Sequence, residues 1–307
     1  MFSPGDRVLV AVSGGPDSIC LLYSLHMLRR LFKIQLEVFH FDHKLRADSA
    51  KDAAYVKRTA AKLKLPFHLV EAATKPPKGA SIEDWAHRAR YRALMDVAHD
   101  VRVRGSALGH TMDDQAETVL LALMRGGGLE SIPGIVPASH FLLHPLLDVR
   151  REETHAFVRS LGLRPRLDPS NADTGLMRNA LRLEGMPALQ RAVGRDIVEP
   201  IARSAALLQL DREFLQQEYE RILRENNWGL SPGERLPVAL LTSLHRTMSS
   251  RLIRGALRTT GRFVTQAHID SVLDLAKGRP GRRVSLPGGF TAVREREYIH
   301  VSSPEHG

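Results

Sequence analysis

Apolar and polar positions follow two different periods along this chain. In the first half, short apolar runs are each followed by a longer stretch in which apolar residues recur every three or four positions. Runs of the first kind read as buried parallel strands, and stretches of the second kind as helices with one face turned to a core. Strands are expected at Arg7–Val12, Leu36–Phe41, Phe67–Val70 and Ser106–Gly109, and helices at Asp17–Leu31, Ser49–Leu63, Ser81–Ala98 and Met112–Arg125. This βαβα series predicts an α/β fold, a parallel sheet with helices on both faces. Ligands of such sheets bind beyond the carboxyl ends of the strands, where the strand order reverses.

The second half reads differently. Arg151–Leu161 is helical, Leu163–Asn171 is a loop rich in Pro and Asp, and Asp196–Asn226 is a long helical stretch broken after Trp228 by Gly229, Pro232 and Gly233. Helices over Leu241–Thr259 and Thr265–Ala276 precede strand-like pieces at Arg283–Leu286, Phe290–Arg294 and Tyr298–Val301, which turn at Gly288-Gly289. Two domains are expected, residues 1–190 and 191–307, the second a helical linker followed by a small α+β domain.

The turn after the first strand reads Ser13-Gly14-Gly15-Pro16-Asp17-Ser18. Gly14 and Gly15 let the backbone approach a ligand and aim its N–H groups inward, Pro16 suits a first helical position, and Ser13 and Ser18 offer hydroxyls. The turn suits a polyphosphate, although it has neither the lysine of a Walker A loop nor a Gly-x-Gly-x-x-Gly pattern. Asp17 would repel phosphates unless it holds Mg²⁺ or pins the loop by hydrogen bonds. The alternative is an ordinary strand-to-helix turn capped by Ser and Asp. The Ser-Gly-Gly-x-Asp-Ser string resembles the PP-loop of the ATP pyrophosphatases. That resemblance implies cleavage of ATP between its α and β phosphates, with transfer of AMP and release of pyrophosphate.

Charge narrows the class of partner. The chain has 307 residues and a net charge of +10, with its lysines and arginines spread along it, which points to nucleic acid. A single cysteine, Cys20, in the apolar run after the loop, excludes an internal disulfide and a Cys-rich zinc site. No stretch approaches the ~20 apolar residues of a membrane span. The loop at Ser13 leaves no room upstream for a targeting peptide, so a cytoplasmic protein is expected.

Three further strings fall at strand ends or helix starts. His40-Phe41-Asp42-His43-Lys44-Leu45-Arg46 is dense in polar groups, and its position suggests adenosine or substrate contact over a metal site. Gly109-His110-Thr111 precedes Asp113, Asp114 and Glu117 in a first helical turn, where acids are ordinary caps or a site for a cationic substrate or Mg²⁺. Arg178 and Arg182, four apart, share a helix face that is solvated or clamps phosphates. Lys277-Gly278-Arg279-Pro280-Gly281-Arg282-Arg283 is a basic loop suited to phosphate contacts of a nucleic acid, or a solvated turn.

These strings resemble the tRNA(Ile)-lysidine synthetase family: His-x-Asp-His-x-Leu-Arg at His40–Arg46, the Gly109–Thr118 segment, Arg125-Gly126-Gly127-Gly128, Arg90-Tyr91, Asp168-Pro169-Ser170-Asn171 and Arg178-Asn179-Ala180-Leu181-Arg182. His87 and His144 stand where the family pattern has arginine, and the resemblance with specific motifs covers about Arg7 to Leu189. Longer members carry a further C-terminal domain that this sequence does not show.

The resemblance implies an adenine nucleotide alpha hydrolase-like fold, with ATP and Mg²⁺ as cofactors. The substrates it implies are free lysine and an isoleucine tRNA with a CAU anticodon. It also implies catalytic roles for Asp42, Arg90, His110, Asp114, Glu117 and Arg182. Ser13, Gly14, Gly15, Pro16, Asp17 and Ser18 would hold the nucleotide, with Asp17 on the metal. It leaves the assembly open, with a homodimer admissible. In the implied reaction, the carbon-2 oxygen of the wobble cytidine is adenylated and the lysine amine then displaces AMP. The nearest rival is a PP-loop tRNA thiolation enzyme, whose sulfur chemistry commonly needs a persulfide cysteine or an iron–sulfur cluster, and Cys20 alone argues against both. A non-catalytic tRNA-binding module on a degenerate nucleotide fold is a further rival, opposed by the intact loop and the acidic helix.

Overall fold

A computed structural model describes residues 1–46, 48–77, 79, 81–139, 141–166, 172–229, 235–258 and 264–302. The chain divides into two compact units, Met1–Gln209 and Leu210–Gly307. The break falls inside a long helix, whereas the sequence placed it at 190/191, ahead of that helix.

In the first unit, β1 (Arg7–Ala11), β2 (Gln35–Asp42), β3 (Phe67–Glu71), β4 (Gly105–Ala107) and β5 (Leu142–Leu143) form one sheet in the order β3-β2-β1-β4-β5. Every neighbouring pair is parallel. The central strand is apolar from Val8 to Ala11 because both its faces are covered there. Val8, Val10 and Val12 pack with Ile19, Leu21, Leu22 and Leu25 of α1 (Pro16–Phe32) and Val56 of α2 (Ser49–Lys62). Leu9 points the other way, onto Phe39, Phe41 and Leu94 of α3 (Ile82–Asp100). Cys20 is buried in the first of these cores.

Strand order reverses between β1 and β4, and the loop after β1 lies beside the start of α4 (Met112–Met124). α5 (Arg151–Ser160) packs on α1 through Val158. A helical run over Met177–Val193 follows, interrupted by a π-helical turn at Leu181–Gly185 that separates α6 (Met177–Ala180) from α7 (Met186–Val193). α8 (Val198–Glu225) leads out of the unit.

The second unit carries an antiparallel sheet in the order β6-β9-β8-β7, built from β6 (Arg235–Pro237), β7 (Arg283–Ser285), β8 (Thr291–Arg294) and β9 (Tyr298–Ser302). Against it lie α9 (Val238–Ser243), α10 (Arg246–Arg258) and α11 (Gln266–Ala276), around Leu252, Ile253, Ile269 and Ile299.

The α/β fold and the small α+β unit match the expectation. Two strands were not anticipated, β5 and β6, of two and three residues at sheet edges. The helix expected from Leu241 to Thr259 is two helices, broken at Leu244, whose backbone is extended. Asp168–Asn171, Pro232, Gly233 and Thr259 lie outside the described residues. No described helix is long and apolar enough to cross a membrane.

Candidate active site

The loop after β1 is held in shape by its own hydroxyls. Ser18 Oγ accepts the N–H groups of Ser13 and Gly14, each at 3.2 Å, and donates to the Gly15 carbonyl at 2.9 Å. Ser13 Oγ accepts the Gly15 N–H at 3.3 Å. Gly14 adopts φ +97°, which a side chain would strain, and Gly15 caps α1 with Pro16 just inside the helix. The Ser18 hydroxyl therefore sits on the donors that an anionic oxygen would use.

Asp17 does not point at that nest. It accepts a hydrogen bond from Thr154 Oγ1, and its Oδ2 lies 3.8 Å from Arg151 Nε. Burial raises its pKa above the usual carboxylate value, against the opposing effects of Thr154 and Arg151. Of the two roles open to it, the hydrogen bond that ties the loop to α5 is present. No cluster of three metal-ligating side chains occurs among the described residues. A Mg²⁺ that arrives on phosphates needs only one or two carboxylates, and Asp17, the one carboxylate of the loop, would have to turn from Thr154 to serve.

α4 opens on a capping box. Thr111 N–H and Oγ1 both donate to Asp114 Oδ2 at 2.9 Å, and Thr111 Oγ1 accepts the Asp114 N–H at 3.4 Å. The other oxygen of Asp114 faces two guanidinium groups, Arg151 Nη2 at 2.8 Å and Arg182 Nη2 at 3.1 Å. Glu117, fully buried, receives Arg151 Nη1 at 3.0 Å and Arg182 Nε at 2.7 Å, with Arg178 Nε at 3.8 Å. Burial pushes the Asp114 pKa up, but Arg151, the Thr111 N–H, His110 and Arg182 outweigh it and hold the group below its ordinary value. Arg151 stays charged despite its burial because these carboxylates raise its pKa. The expected acidic helix is thus a set of carboxylates that already grips cations.

Arg182 stands in the π-helical turn, which places it on Glu117 while Arg178 donates to Thr118 Oγ1 at 2.6 Å. π-Turns of this kind occur often at functional sites. His110 meets His144 with ring centroids 4.9 Å apart and the rings tilted by 46°. His144 Nδ1 lies 2.8 Å from the Val136 carbonyl, so Nδ1 carries the proton and Nε2 is left an acceptor. Burial draws the His110 pKa down to about 4. Arg90 Nε is buried without a hydrogen-bond partner, its guanidinium lies 5.5 Å from the Tyr91 ring centroid, and burial lowers its pKa. A buried N–H donor without a partner is costly and fits an arriving anion.

Asp42 stands apart from this cluster. It is buried at the end of β2 and accepts the Lys44 N–H at 2.8 Å, closing a turn in which Lys44 has φ +53°. His40 Nδ1 donates to the Val12 carbonyl at 2.7 Å.

Sequence reasoning missed α5 as a source of site residues. Arg151 N–H donates to Asp113 Oδ2 at 2.8 Å, Arg150 Nε lies 3.4 Å from the same oxygen, and Thr154 and Arg151 reach Asp17. One signal was available. Two arginines at a helix N-terminus oppose the helix dipole and therefore call for acidic partners.

Residues 3–189 match the PP-loop domain family, and residues 236–300 match the TilS substrate binding domain. A tRNA(Ile)-lysidine synthase from Solibacter usitatus is 33% identical over 312 residues, covering 99% of this chain and 69% of the relative. This chain belongs to the tRNA(Ile)-lysidine synthase family of PP-loop proteins. Family members from Clostridioides difficile and Symbiobacterium thermophilum are 28% and 36% identical, over 99% and 84% of this chain. The chain spans 68% and 56% of their respective lengths. Among solved structures, a U34-tRNA thiolase from Methanococcus maripaludis superposes with a TM-score of 0.58 at 17% identity, over 68% of this chain and 73% of that one. That likeness concerns the fold.

Proposed function

We propose that this protein ligates free lysine to carbon-2 of the wobble cytidine of an isoleucine tRNA with a CAU anticodon. ATP is consumed to AMP and pyrophosphate, and lysidine is the product. One observation carries this reading: Asp114 and Glu117 form a buried carboxylate pair that binds the guanidinium groups of Arg151 and Arg182. An ammonium group matches the chemistry of that pair.

A cytosine carbonyl is a poor electrophile with a poor leaving group. In the first step its oxygen attacks the α-phosphorus, the bond to the β-phosphate breaks, and the electron pair leaves with pyrophosphate. The loop N–H groups and Arg90 face the charge that builds on the phosphates. Asp17, with phosphate oxygens, would hold Mg²⁺, which offsets that charge. In the second step the lysine nitrogen attacks carbon-2 and AMP departs with the oxygen.

The amine must first lose a proton, at a cost of roughly 4–5 kcal/mol at pH 7 for an unperturbed lysine. A carboxylate that binds the ammonium also stabilises its charged form. One of Asp114 and Glu117 therefore orients the amine while the other accepts its proton.

The Lys277–Arg283 loop of the second unit supplies phosphate contacts for the tRNA. A tRNA substrate fits a cytoplasmic protein, and a homodimer is admissible. A thiolation reaction is disfavoured, because the one cysteine, Cys20, is buried in a core.

Incubation of the protein with the tRNA, ATP and isotope-labelled lysine tests the reaction by mass spectrometry of the nucleosides. Labelled lysidine at the anticodon is expected. Unmodified cytidine together with ATP left intact would sink the reading.

A further inference from the structure

Arg166 belongs to none of the groups described so far, yet its main chain is bound to the phosphate loop. Its N–H donates to the Gly14 carbonyl at 2.9 Å. A β-carbon on Gly14 would lie 3.8 Å from Arg166 Cβ, and one on Gly15 would lie 3.9 Å from the Arg166 carbonyl oxygen. The residue therefore walls one side of the loop.

Its guanidinium reaches to the start of α2. Nε lies 2.7 Å from Asp52 Oδ1, and Nη2 lies 3.7 Å from Asp48 Oδ2. Arg46 meets the same two carboxylates, with Nη2 2.6 Å from Asp52 Oδ2 and Nε 4.0 Å from Asp48 Oδ1. Two arginines are thus held at the loop by two shared aspartates.

Charge explains why this placement matters. The loop has no cation of its own, and its one charged residue is Asp17. The loop itself offers a triphosphate only N–H dipoles, and cleavage between the α and β phosphates adds charge to the leaving half. Arg151 is engaged elsewhere, with its two Nη atoms on Asp114 and Glu117. Arg166 makes its close bond through Nε, and its Nη2 lies 3.7 Å from Asp48 Oδ2, beyond hydrogen-bond reach, so both Nη groups keep N–H donors for phosphate oxygens.

We propose that Arg166, with Arg46 beside it, binds the β- and γ-phosphates of ATP and the pyrophosphate they become. Asp52 and Asp48 hold the guanidinium groups in place. The inference rests on the adenylation step of the proposed function. In that step the α-phosphorus gains a bond to the cytidine oxygen and loses its bond to the β-phosphate, whose electron pair stays on pyrophosphate against these arginines.

Four proteins decide the matter: wild type, Arg166→Gln, Arg166→Lys and Asp52→Asn. Inorganic pyrophosphate is titrated into each by calorimetry, and tRNA-stimulated ATP–pyrophosphate exchange is then measured. Arg166→Gln should weaken pyrophosphate binding about tenfold or more and raise the KM for pyrophosphate and ATP alike. The KM for lysine should stay within about twofold, and Arg166→Lys should recover part of the loss. Every variant keeps the main-chain bond to Gly14, so the wall of the loop survives. Unchanged pyrophosphate binding in Arg166→Gln overturns the proposal, as does a wild-type protein that binds no pyrophosphate at millimolar concentration. Equal losses in Asp52→Asn and Arg166→Gln also overturn it, because Arg166 would then serve only to pin α2. Pyrophosphate binding needs no turnover, so a protein that binds it through Arg166 yet makes no lysidine refutes the reaction and not this site.

Discussion

Arg151 Nη1 lies 3.0 Å from Oε1 of Glu117, a carboxylate with no exposed surface. Removal of the carboxylate charge leaves Arg151 and Arg182 sharing Asp114 in place of two carboxylates. Glu117→Gln should raise the KM for lysine about tenfold or more, the loss expected for one charge-assisted contact. ATP–pyrophosphate exchange should survive. Unchanged lysine dependence in steady-state kinetics would remove Glu117 from the amine site.

The same pair predicts an uneven stability map. Arg151→Met leaves the buried carboxylates of Asp114 and Glu117 one guanidinium short, with Arg182 still on both, at a cost of about 1–3 kcal/mol. Arg221 also contacts two carboxylates, Glu218 and Glu225, but from an exposed helix face. Arg221→Met should leave the urea midpoint where it is. Equal midpoints for the two variants would show that the Arg151 cluster contributes nothing to folding.

His110 predicts the response to acid. Its folded pKa of about 4 lies below the ordinary value of 6.5. Between those values the unfolded chain binds a proton that the folded chain refuses, so stability is complete above 6.5 and falls as the pH drops toward 4. Replacement by Phe should flatten that fall by up to about 3 kcal/mol. Parallel pH–stability curves for wild type and His110→Phe would contradict the assignment.

Gly134 predicts a packing effect. It has φ +67°, and a β-carbon there would lie 2.5 Å from Gln115 Oε1. That oxygen accepts the Ile135 N–H at 2.7 Å, which ties the segment after α4 back to the helix. Gly134→Ala should cost about 1–3 kcal/mol in chemical denaturation. A neutral result would mean that the segment rearranges freely.

The basic loop of the second unit predicts a salt effect. Charge reversal at Arg282 and Arg283 should weaken tRNA binding and reduce the slope of log K against log salt. Wild-type affinity at every salt concentration would exclude the loop from the interface.

Much of the first unit was legible because its strands are buried on both faces and its helices on one. Val8–Val12 carries that signal in consecutive residues, Leu36–Phe41 carries it around Glu37 and His40, and the turn at Ser13–Ser18 was legible from its glycines and hydroxyls. The acidic pair Asp114 and Glu117 was legible as a local pattern, one helical turn apart. Their partners were not. Arg151 meets Glu117 across 34 positions, and Arg166 meets Asp52 across 114, separations that no local period encodes. β5 and β6 escaped for another reason. Runs of two or three residues at a sheet edge carry too little alternation to distinguish them from loop.

Because a hydroxyl of its own already occupies the nest after β1, the main chain there has little left to organise when a nucleotide arrives. Recognition then amounts to an exchange of one oxygen for another. An enzyme built this way can release its spent phosphates without losing the shape that the next turnover requires.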